Sequence, residues 1–205
     1  MDVPEIHSPH AHGGRHWLDM VVALAALVTS VVSITVAVRH GETMEKLVEA
    51  QSWPHIQLDS SNLVNDKQDV ALTLRSTGSG PSQVKALSIS YAGTPVHNWP
   101  ELIRACCASD RNADVATLLR ETDGRVITGT PTGAVLLPND KAMIMSLPRT
   151  EANAALWKRL DMERTKLRFE ACYCSVFDEC YVSELRQSDA RHVESCPVFK
   201  DKWKN

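Results

Sequence analysis

The residues with the clearest chemical potential are six cysteines, four of which lie near the C-terminal end of the chain. Three of these four fall in the short run Cys172-Tyr-Cys-Ser-Val-Phe-Asp-Glu-Cys180. Structural zinc sites usually use cysteine pairs separated by two to four residues, and thiol oxidoreductases use Cys-x-x-Cys. Neither spacing is present in this run. The spacing is instead typical of a β-hairpin in which Cys174 and Cys180 meet across the turn.

The cysteines are therefore predicted to form structural disulfides. Cys172 and Cys174 share one strand face, because alternate residues of a strand point the same way. A bond between the adjacent Cys106 and Cys107 would close a strained small ring. With Cys174–Cys180 formed, Cys106 and Cys107 are expected to pair with Cys172 and Cys196, in either order. A metal site and a site of reactive or free thiols remain as alternatives; the ligands of a metal site would be Cys172, Cys174 and Cys180, with Cys196 or His192.

Other patterns that could support chemistry are weaker. Residues 1–16 are interpreted as a short flexible His-rich tail, since no cysteine or carboxylate completes a metal site at a fixed spacing; its histidines are His7, His10, His12 and His16. The sequence has no Gly-x-Ser-x-Gly, no Gly-x-x-x-x-Gly-Lys-Ser/Thr and no His-Glu-x-x-His motif. His97 and His192 are a weak basis for a catalytic triad. We expect no catalytic residue, no metal, no cofactor and no enzymatic activity.

The charge balance bears on the class of partner. The chain has 22 basic and 25 acidic residues and a net charge of −3. A dedicated nucleic-acid-binding protein is normally clearly basic, so no nucleic acid is expected as a partner.

The longest uncharged stretch covers residues 20–38. As a helix it approaches the ~30 Å thickness of the hydrocarbon core of a bilayer. Trp17 and Arg39 flank it, and both side chains favour the membrane interface. The apolar part of a cleaved signal peptide is shorter, about 7–15 residues, and a small-x-small cleavage site follows it. We therefore predict an uncleaved signal-anchor, with a transmembrane helix at residues 17–40 and a helical linker at residues 41–53.

Two sequence signals for membrane orientation disagree. Arg15 precedes the helix whereas Arg39 and Lys46 follow it, and this small excess favours a cytoplasmic C-terminus. However, all six cysteines lie beyond the helix, and clustered cysteines in even number indicate an oxidising compartment. We predict that the C-terminal domain lies outside the cytoplasm, with a cytoplasmic regulator as the alternative.

A stripe of mostly small residues along the membrane helix predicts a helix partner. Its members recur at alternating spacings of four and three, as in a heptad seam: Asp19, Ala23, Ala26, Ser30, Ser33 and Ala37. Small residues let helix backbones approach closely in lipid, and hydroxyls hydrogen-bond between helices. The predicted partners are the lipid bilayer and, through this stripe, a membrane protein or a second copy of the chain.

Beyond Pro54, short strand patterns alternate with turn signals, which is typical of an antiparallel β-sandwich. The predicted sandwich covers residues 54–186, with helical insertions at 100–108 and 151–161 and a C-terminal tail at 187–205. The strands are predicted at residues 55–59, 70–75, 84–91, 126–127, 133–137, 142–147, 166–176 and 180–185. The predicted core consists of Leu72, Leu74, Leu87, Ile89, Met143, Met145, Leu167 and Phe169.

Residues 71–82 read Ala-Leu-Thr-Leu-Arg-Ser-Thr-Gly-Ser-Gly-Pro-Ser. Together with the preceding helix and Trp53-Pro54, this segment resembles a pattern of uncharacterised bacterial single-pass envelope proteins, in which Asn-x-Gly-x-Gly-Pro-Ala separates two strands. Ser76 replaces the Asn and Ser82 replaces the Ala, and the resemblance extends over about residues 15–92. Independently of it, Gly78 and Gly80 are expected to permit positive φ.

The resemblance implies an immunoglobulin-like sandwich on the periplasmic side of the bacterial inner membrane, and it carries over no catalytic residue. The predicted fold class is thus mainly β, with one N-terminal transmembrane helix followed by an antiparallel immunoglobulin-like β-sandwich. The predicted function is a non-catalytic, membrane-anchored binding or accessory subunit with a disulfide-braced domain outside the cytoplasm. The alternative is a metal-binding or thiol-redox envelope protein that uses the Cys172–Cys180 cluster.

Overall fold

The computed structural model describes residues 15–186 and 190–204. The chain divides into two compact units, Met1–Val48 and Glu49–Asn205. About 32% of the residues are in strands and about 35% are helical. The predicted long apolar helix and antiparallel sheets are therefore present, with helix and strand contributing similar shares.

Helix α1 covers Arg15–Ser52. By its length and composition it is able to cross a membrane. The spans predicted at 17–40 and 41–53 form one continuous helix, and Gly41 lies inside it without a break. The helix ends just before Pro54, because proline disfavours a helical conformation of the residue that precedes it.

The described residues beyond α1 form ten strands, all in two antiparallel sheets. The first sheet has the strand order β1-β2-β7-β5, and the second has the order β10-β9-β8-β3-β4, with β6 also paired to β3. In chain order the strands are β1 (Ile56–Val64), β2 (Lys67–Ser76), β3 (Ser82–Tyr91), β4 (Thr94–Val96), β5 (Ile127–Thr128), β6 (Val135–Leu136), β7 (Lys141–Pro148), β8 (Leu167–Cys174), β9 (Cys180–Ser183) and β10 (Arg191–Val193).

Two-residue turns close the hairpins β1–β2 and β3–β4. Asn65 and Asp66 have φ values of 49° and 61°, and Ala92 and Gly93 have values of 48° and 86°. Positive φ at both central residues is the geometry that matches the twist of a hairpin, and Asn, Asp and Gly tolerate it best.

Among the described residues, three α-helices connect the strands, and a short 3-10 helix (Arg164–Lys166) follows the last of them: α2 (Trp99–Cys106), α3 (Val115–Glu121) and α4 (Ala154–Glu163). Helices α2 and α4 occupy the two predicted insertions, while α3 was not predicted. The side chain of Asp114 caps α3 by accepting a hydrogen bond from the backbone N–H of Thr117 at 2.8 Å. An Asp at this position was the sequence signal for a helix start.

Buried side chains from both sheets form one main hydrophobic core. Seven of the eight predicted core residues are buried, but Met143 is 38% exposed. The pairing of β2 with β7 skips one residue, since Leu72 faces Met145 and Thr73 faces Met143. This bulge lets Ile144 and Met145 both be buried and turns Met143 outward.

The C-terminal segment, residues 190–204, packs on the second sheet, although the sequence assigned it to a tail. Strand β10 pairs with β9, and Lys202 forms a bridge with Ser88 of β3. The backbone N–H of Trp203 donates to the carbonyl of Leu87 at 2.8 Å, and the Trp203 side chain is buried in the main core.

Candidate functional site: the cysteine cluster and the loop end

The turn between β8 and β9 brings Cys174 and Cys180 together, and the structure contains the predicted disulfide between them. Their Cα atoms are 4.0 Å apart. The hydroxyl of Ser175 accepts hydrogen bonds from the backbone N–H groups of Phe177 and Glu179 at 3.1 and 3.2 Å. The local sequence therefore supports the hairpin in addition to the disulfide.

A second disulfide joins Cys172 to Cys196, with 5.7 Å between their Cα atoms. Alternate residues of β8 point to opposite sides, so Tyr173 lies in the main core while Cys172 and Cys174 belong to a separate buried cluster. This cluster also contains Ala86, Cys180 and Val182, with Val193, Cys196 and Phe199 packed against it. The second disulfide thus fastens the C-terminal segment over the outer side of the second sheet.

Cys106 and Cys107 are bonded to each other at the C-terminal end of α2. The expectation that they pair with Cys172 and Cys196 is therefore wrong. Cys107 is buried in the main core, whereas Cys172 lies in the separate cluster on the other side of the second sheet. The sheet itself keeps the two sets of sulfur atoms apart.

The two disulfides of the separate cluster are neighbours. The Sγ atoms of Cys174 and Cys196 are 3.7 Å apart, and those of Cys174, Cys180 and Cys196 all lie within 4.8 Å of one another. Such an arrangement fits a metal ion only as thiolates, because the thiolate is the ligand. In the structure each sulfur is bonded to another sulfur, so the cluster braces β8, β9 and the C-terminal segment.

His97 lies between β4 and α2 with both ring nitrogens beside carboxylates. Nδ1 is 2.7 Å from Oε2 of Glu101, and Nε2 is 3.4 Å from Oδ1 of Asp201. The hydrogen bond with Glu101, followed by that with Asp201, raises the pKa of His97. This arrangement connects α2 to the C-terminal segment. His192 instead packs edge-on against Tyr181, with ring centroids 5.4 Å apart.

The glycines of the resembling motif lie where two backbones pass very close to each other. A Cβ on Gly78 would collide with the carbonyl oxygen of Trp53, and one on Gly80 would collide with the backbone of Ser52. The expectation of positive φ is wrong here, because the described glycines with positive φ are Gly93, Gly124 and Gly133. The close approach fastens the β2–β3 turn to residues 52–55.

Four segments meet at the end of the second unit where the chain enters from α1. The backbone N–H of Gly80 donates to the Trp53 carbonyl at 3.1 Å, and that of Asn139 donates to the Ser76 carbonyl at 3.0 Å. Pairing of Gln83 with Cys174 places the β8–β9 turn beside the start of β3. We call this set of segments the loop end: residues 52–55, 77–81, 137–140 and 175–179.

Four large apolar side chains are exposed at the loop end. The exposed fraction is 45% for Trp53, 56% for Leu137 and 60% for both Val176 and Phe177. His55 is buried, with its ring stacked on that of Trp53 at a centroid distance of 5.1 Å, and burial lowers its pKa. The sequence patterns placed Trp53 in the helical linker, Leu137 and Val176 at the ends of predicted strands and Phe177 in a turn, so they did not group these residues. An apolar pair inside a turn, Val176-Phe177, was the available signal.

The residues of the predicted helix-partner stripe all lie on α1: Asp19, Ala23, Ala26, Ser30, Ser33 and Ala37. At 100° per residue they fall within an arc of about 80°. The hydroxyl of Ser30 donates to the carbonyl of Ala26 at 2.7 Å, so it is bonded within the helix. Partner binding through the stripe stays a prediction. In the His-rich tail, His7, His10 and His12 lie outside the described residues, and His16 lies on α1.

No protein-family model matches the chain, and no curated protein or solved structure is significantly similar to it.

Proposed function

We propose that the protein is a non-catalytic, membrane-anchored binding or accessory subunit whose second unit lies outside the cytoplasm, on the periplasmic side of a bacterial inner membrane. The observation that carries this proposal is the state of the cysteines. All six lie beyond the apolar helix, and all six are in disulfide bonds. Disulfides form and persist in oxidising compartments and are rare in the cytosol.

The strand order supports an immunoglobulin-like fold for the second unit. Immunoglobulin domains place strands A, B, E and D in one sheet and C, F and G in the other. The order β1-β2-β7-β5 corresponds to A-B-E-D, and β9-β8-β3-β4 corresponds to G-F-C with an added C′ strand. One difference is that the disulfides Cys172–Cys196 and Cys174–Cys180 brace the second sheet instead of joining the two sheets.

Hydrogen bonds between polar side chains join neighbouring strands of the second unit, which agrees with a non-catalytic binding role. Asp59 accepts hydrogen bonds from both Arg75 and Lys141, which joins three neighbouring strands. Ser146 donates to Asp69 at 2.7 Å across the same sheet. These groups hold the fold together in the way His97 holds the C-terminal segment.

The alternative function is metal binding or thiol redox chemistry, and the close approach of the Cys174, Cys180 and Cys196 sulfurs favours it. It requires these residues to be thiolates in the native protein. Elemental analysis of protein purified without reductant discriminates between the two proposals. A stoichiometric metal would favour the metal-binding alternative over structural disulfides. We expect no bound metal.

Reporter fusions after Asn205 test the proposed compartment. We expect an alkaline phosphatase fusion, which needs disulfides, to be active and a fluorescent protein that matures only in the cytosol to be dark. The same reporters placed before Met1 are the matched control and should give the opposite pattern. Fluorescence from the C-terminal fusion would contradict the proposal and favour the cytoplasmic regulator.

A further inference from the structure

The separate cluster on the second sheet contains two disulfides that touch each other. The Sγ atoms of Cys174 and Cys196 belong to different disulfides and lie 3.7 Å apart. This distance is close to the separation of about 3–3.5 Å from which two atoms can react. A disulfide is exchanged when a thiolate attacks one of its sulfur atoms. Reduction of either disulfide therefore leaves a thiolate beside a sulfur atom of the other.

We propose that the cluster is an exchange site for a dithiol reductant of the Cys-x-x-Cys class, at which the two disulfides rearrange to the single disulfide Cys174–Cys196. The inference rests on the proposed function, because an oxidising compartment keeps both disulfides formed until the reductant acts. It adds a reaction of the cysteine cluster and the chemical class of the protein that acts on it.

The exposure of the four cysteines shows where the reductant enters. Cys196 is partly exposed, whereas the other three are buried. A thiolate of the reductant attacks Sγ of Cys196, and the sulfur of Cys172 leaves. The second thiol of the reductant then closes the reductant's own disulfide and displaces Cys196 as a thiolate. This thiolate attacks Sγ of Cys174, and the sulfur of Cys180 leaves.

The exchange consumes one dithiol and balances in atoms and electrons. The two native disulfides break, and Cys174–Cys196 and the disulfide of the reductant form. The two electrons come from the reductant, and its two protons end on the thiols of Cys172 and Cys180. Entry at Cys180 would give the same product, because Cys174 would then be the thiolate and Cys196 its target.

Contacts on both sides of Cys196 keep it near Cys174 when its own disulfide opens. Strand β10 ends at Val193 and pairs with β9. Val193 and Phe199, one on each side of Cys196 in sequence, pack against the cluster. A thiolate held in this way has a high effective concentration at its target, so exchange is favoured over release of the C-terminal segment.

The rearrangement keeps the C-terminal segment attached and frees the β8–β9 turn. The new bond joins residues 22 apart in sequence, and the bond Cys172–Cys196 joins residues 24 apart. Because closure entropy depends only weakly on loop length, the two bonds constrain the C-terminal segment almost equally. The cross-link between Cys174 and Cys180 is lost, and hydrogen bonds to the Ser175 hydroxyl then hold the turn.

Stepwise reduction of the purified full-length protein tests the proposal. Dithiothreitol is added to the folded protein in increasing doses, the reaction is stopped with excess N-ethylmaleimide, and mass spectrometry locates the labelled cysteines. Since the loops closed by Cys174–Cys196 and Cys172–Cys196 are similar, about half of the molecules that keep one disulfide in the cluster should carry the label on Cys172 and Cys180. Label only on the two partners of one native disulfide, or loss of both disulfides together at every dose, would overturn the exchange.

Cys172→Ala tests the internal step without a reductant. In this variant Cys196 is a free thiol beside the Cys174–Cys180 disulfide, and we expect the label to shift from Cys196 to Cys180. Cys107→Ala is the matched control, since it frees a thiol at Cys106, which packs against the main core instead of the separate cluster.

In the control the label should stay on Cys106. Label on Cys196 alone in folded Cys172→Ala would contradict the exchange. If that variant does not fold, the dithiothreitol series on the native protein decides. The exchange is measured on purified protein and the compartment by the reporter fusions, so failure of this inference is distinguishable from failure of the proposed function.

Discussion

Gly78 and Gly80 lie where the backbone of the β2–β3 turn passes directly over the segment that follows α1. A side chain at either position would occupy space already filled by backbone atoms, which have little freedom to move away. The resembling motif therefore holds the β2–β3 turn against residues 52–55 of the second unit.

Gly80→Ala should lower the free energy of unfolding of the second unit by about 1–3 kcal/mol, because a packed backbone must shift. Gly41→Ala is the control, since the added Cβ meets no described atom within 4 Å and alanine favours a helix. Denaturant titration followed by near-ultraviolet circular dichroism measures both variants. Equal stability of the two would show that the close approach is not required.

His97 should make the free energy of unfolding depend on pH above the ordinary histidine pKa. Its pKa is raised in the folded protein by the Glu101 carboxylate and then by Asp201. The stabilisation is complete below the ordinary pKa of about 6.5 and is lost as pH rises through the raised value. His55, whose pKa burial lowers, acts in the opposite direction and only below that window.

Unfolding measurements between pH 6.5 and 9 should therefore show the native protein losing more stability than His97→Gln. If the free energy of unfolding changed with pH equally in the native protein and in His97→Gln, His97 would not hold the C-terminal segment.

Among the elements, the C-terminal segment depends most on covalent attachment. Strand β10 has only three residues, and the Cys172–Cys196 disulfide secures the chain just beyond it. Burial of Trp203 in the main core secures the same segment nearer its end. A short edge strand of this kind would be only marginally stable by hydrogen bonds alone.

Removing either disulfide should lower the free energy of unfolding, and the two losses should differ. The bond Cys172–Cys196 spans 24 residues of sequence, whereas Cys174–Cys180 spans 6. Because a longer loop gains more entropy when released, replacing the first pair by alanine should cost about 3.5 kcal/mol and replacing the second about 2.2 kcal/mol. Urea unfolding of the two double variants measures the order. A larger loss for Cys174–Cys180 would contradict the assignment of the C-terminal segment to the first disulfide.

Across the whole molecule, local sequence patterns predicted the helices and strands better than they predicted the contacts between them. The uncharged run of residues 20–38 predicted α1, and alternating residues predicted β2, β3 and β8 closely, because these signals arise within one element. The pairing of Cys172 depended on which side of the sheet each cysteine lies, and this is set by tertiary packing. The bulge that exposes Met143 and the proximity of the four segments of the loop end also depend on contacts between residues far apart in sequence.

The central claim, a disulfide-braced unit outside the cytoplasm, is tested most directly by mapping the cysteines in intact membranes. Membranes are denatured in excess alkylating agent without reductant, and the peptides are identified by mass spectrometry. We predict no alkylated cysteine, together with linked peptides joining Cys172 to Cys196 and Cys174 to Cys180, which protease cleavage between the cysteines makes distinguishable. Alkylation of these four residues in the native protein would contradict both the bracing of the second sheet and the proposed compartment.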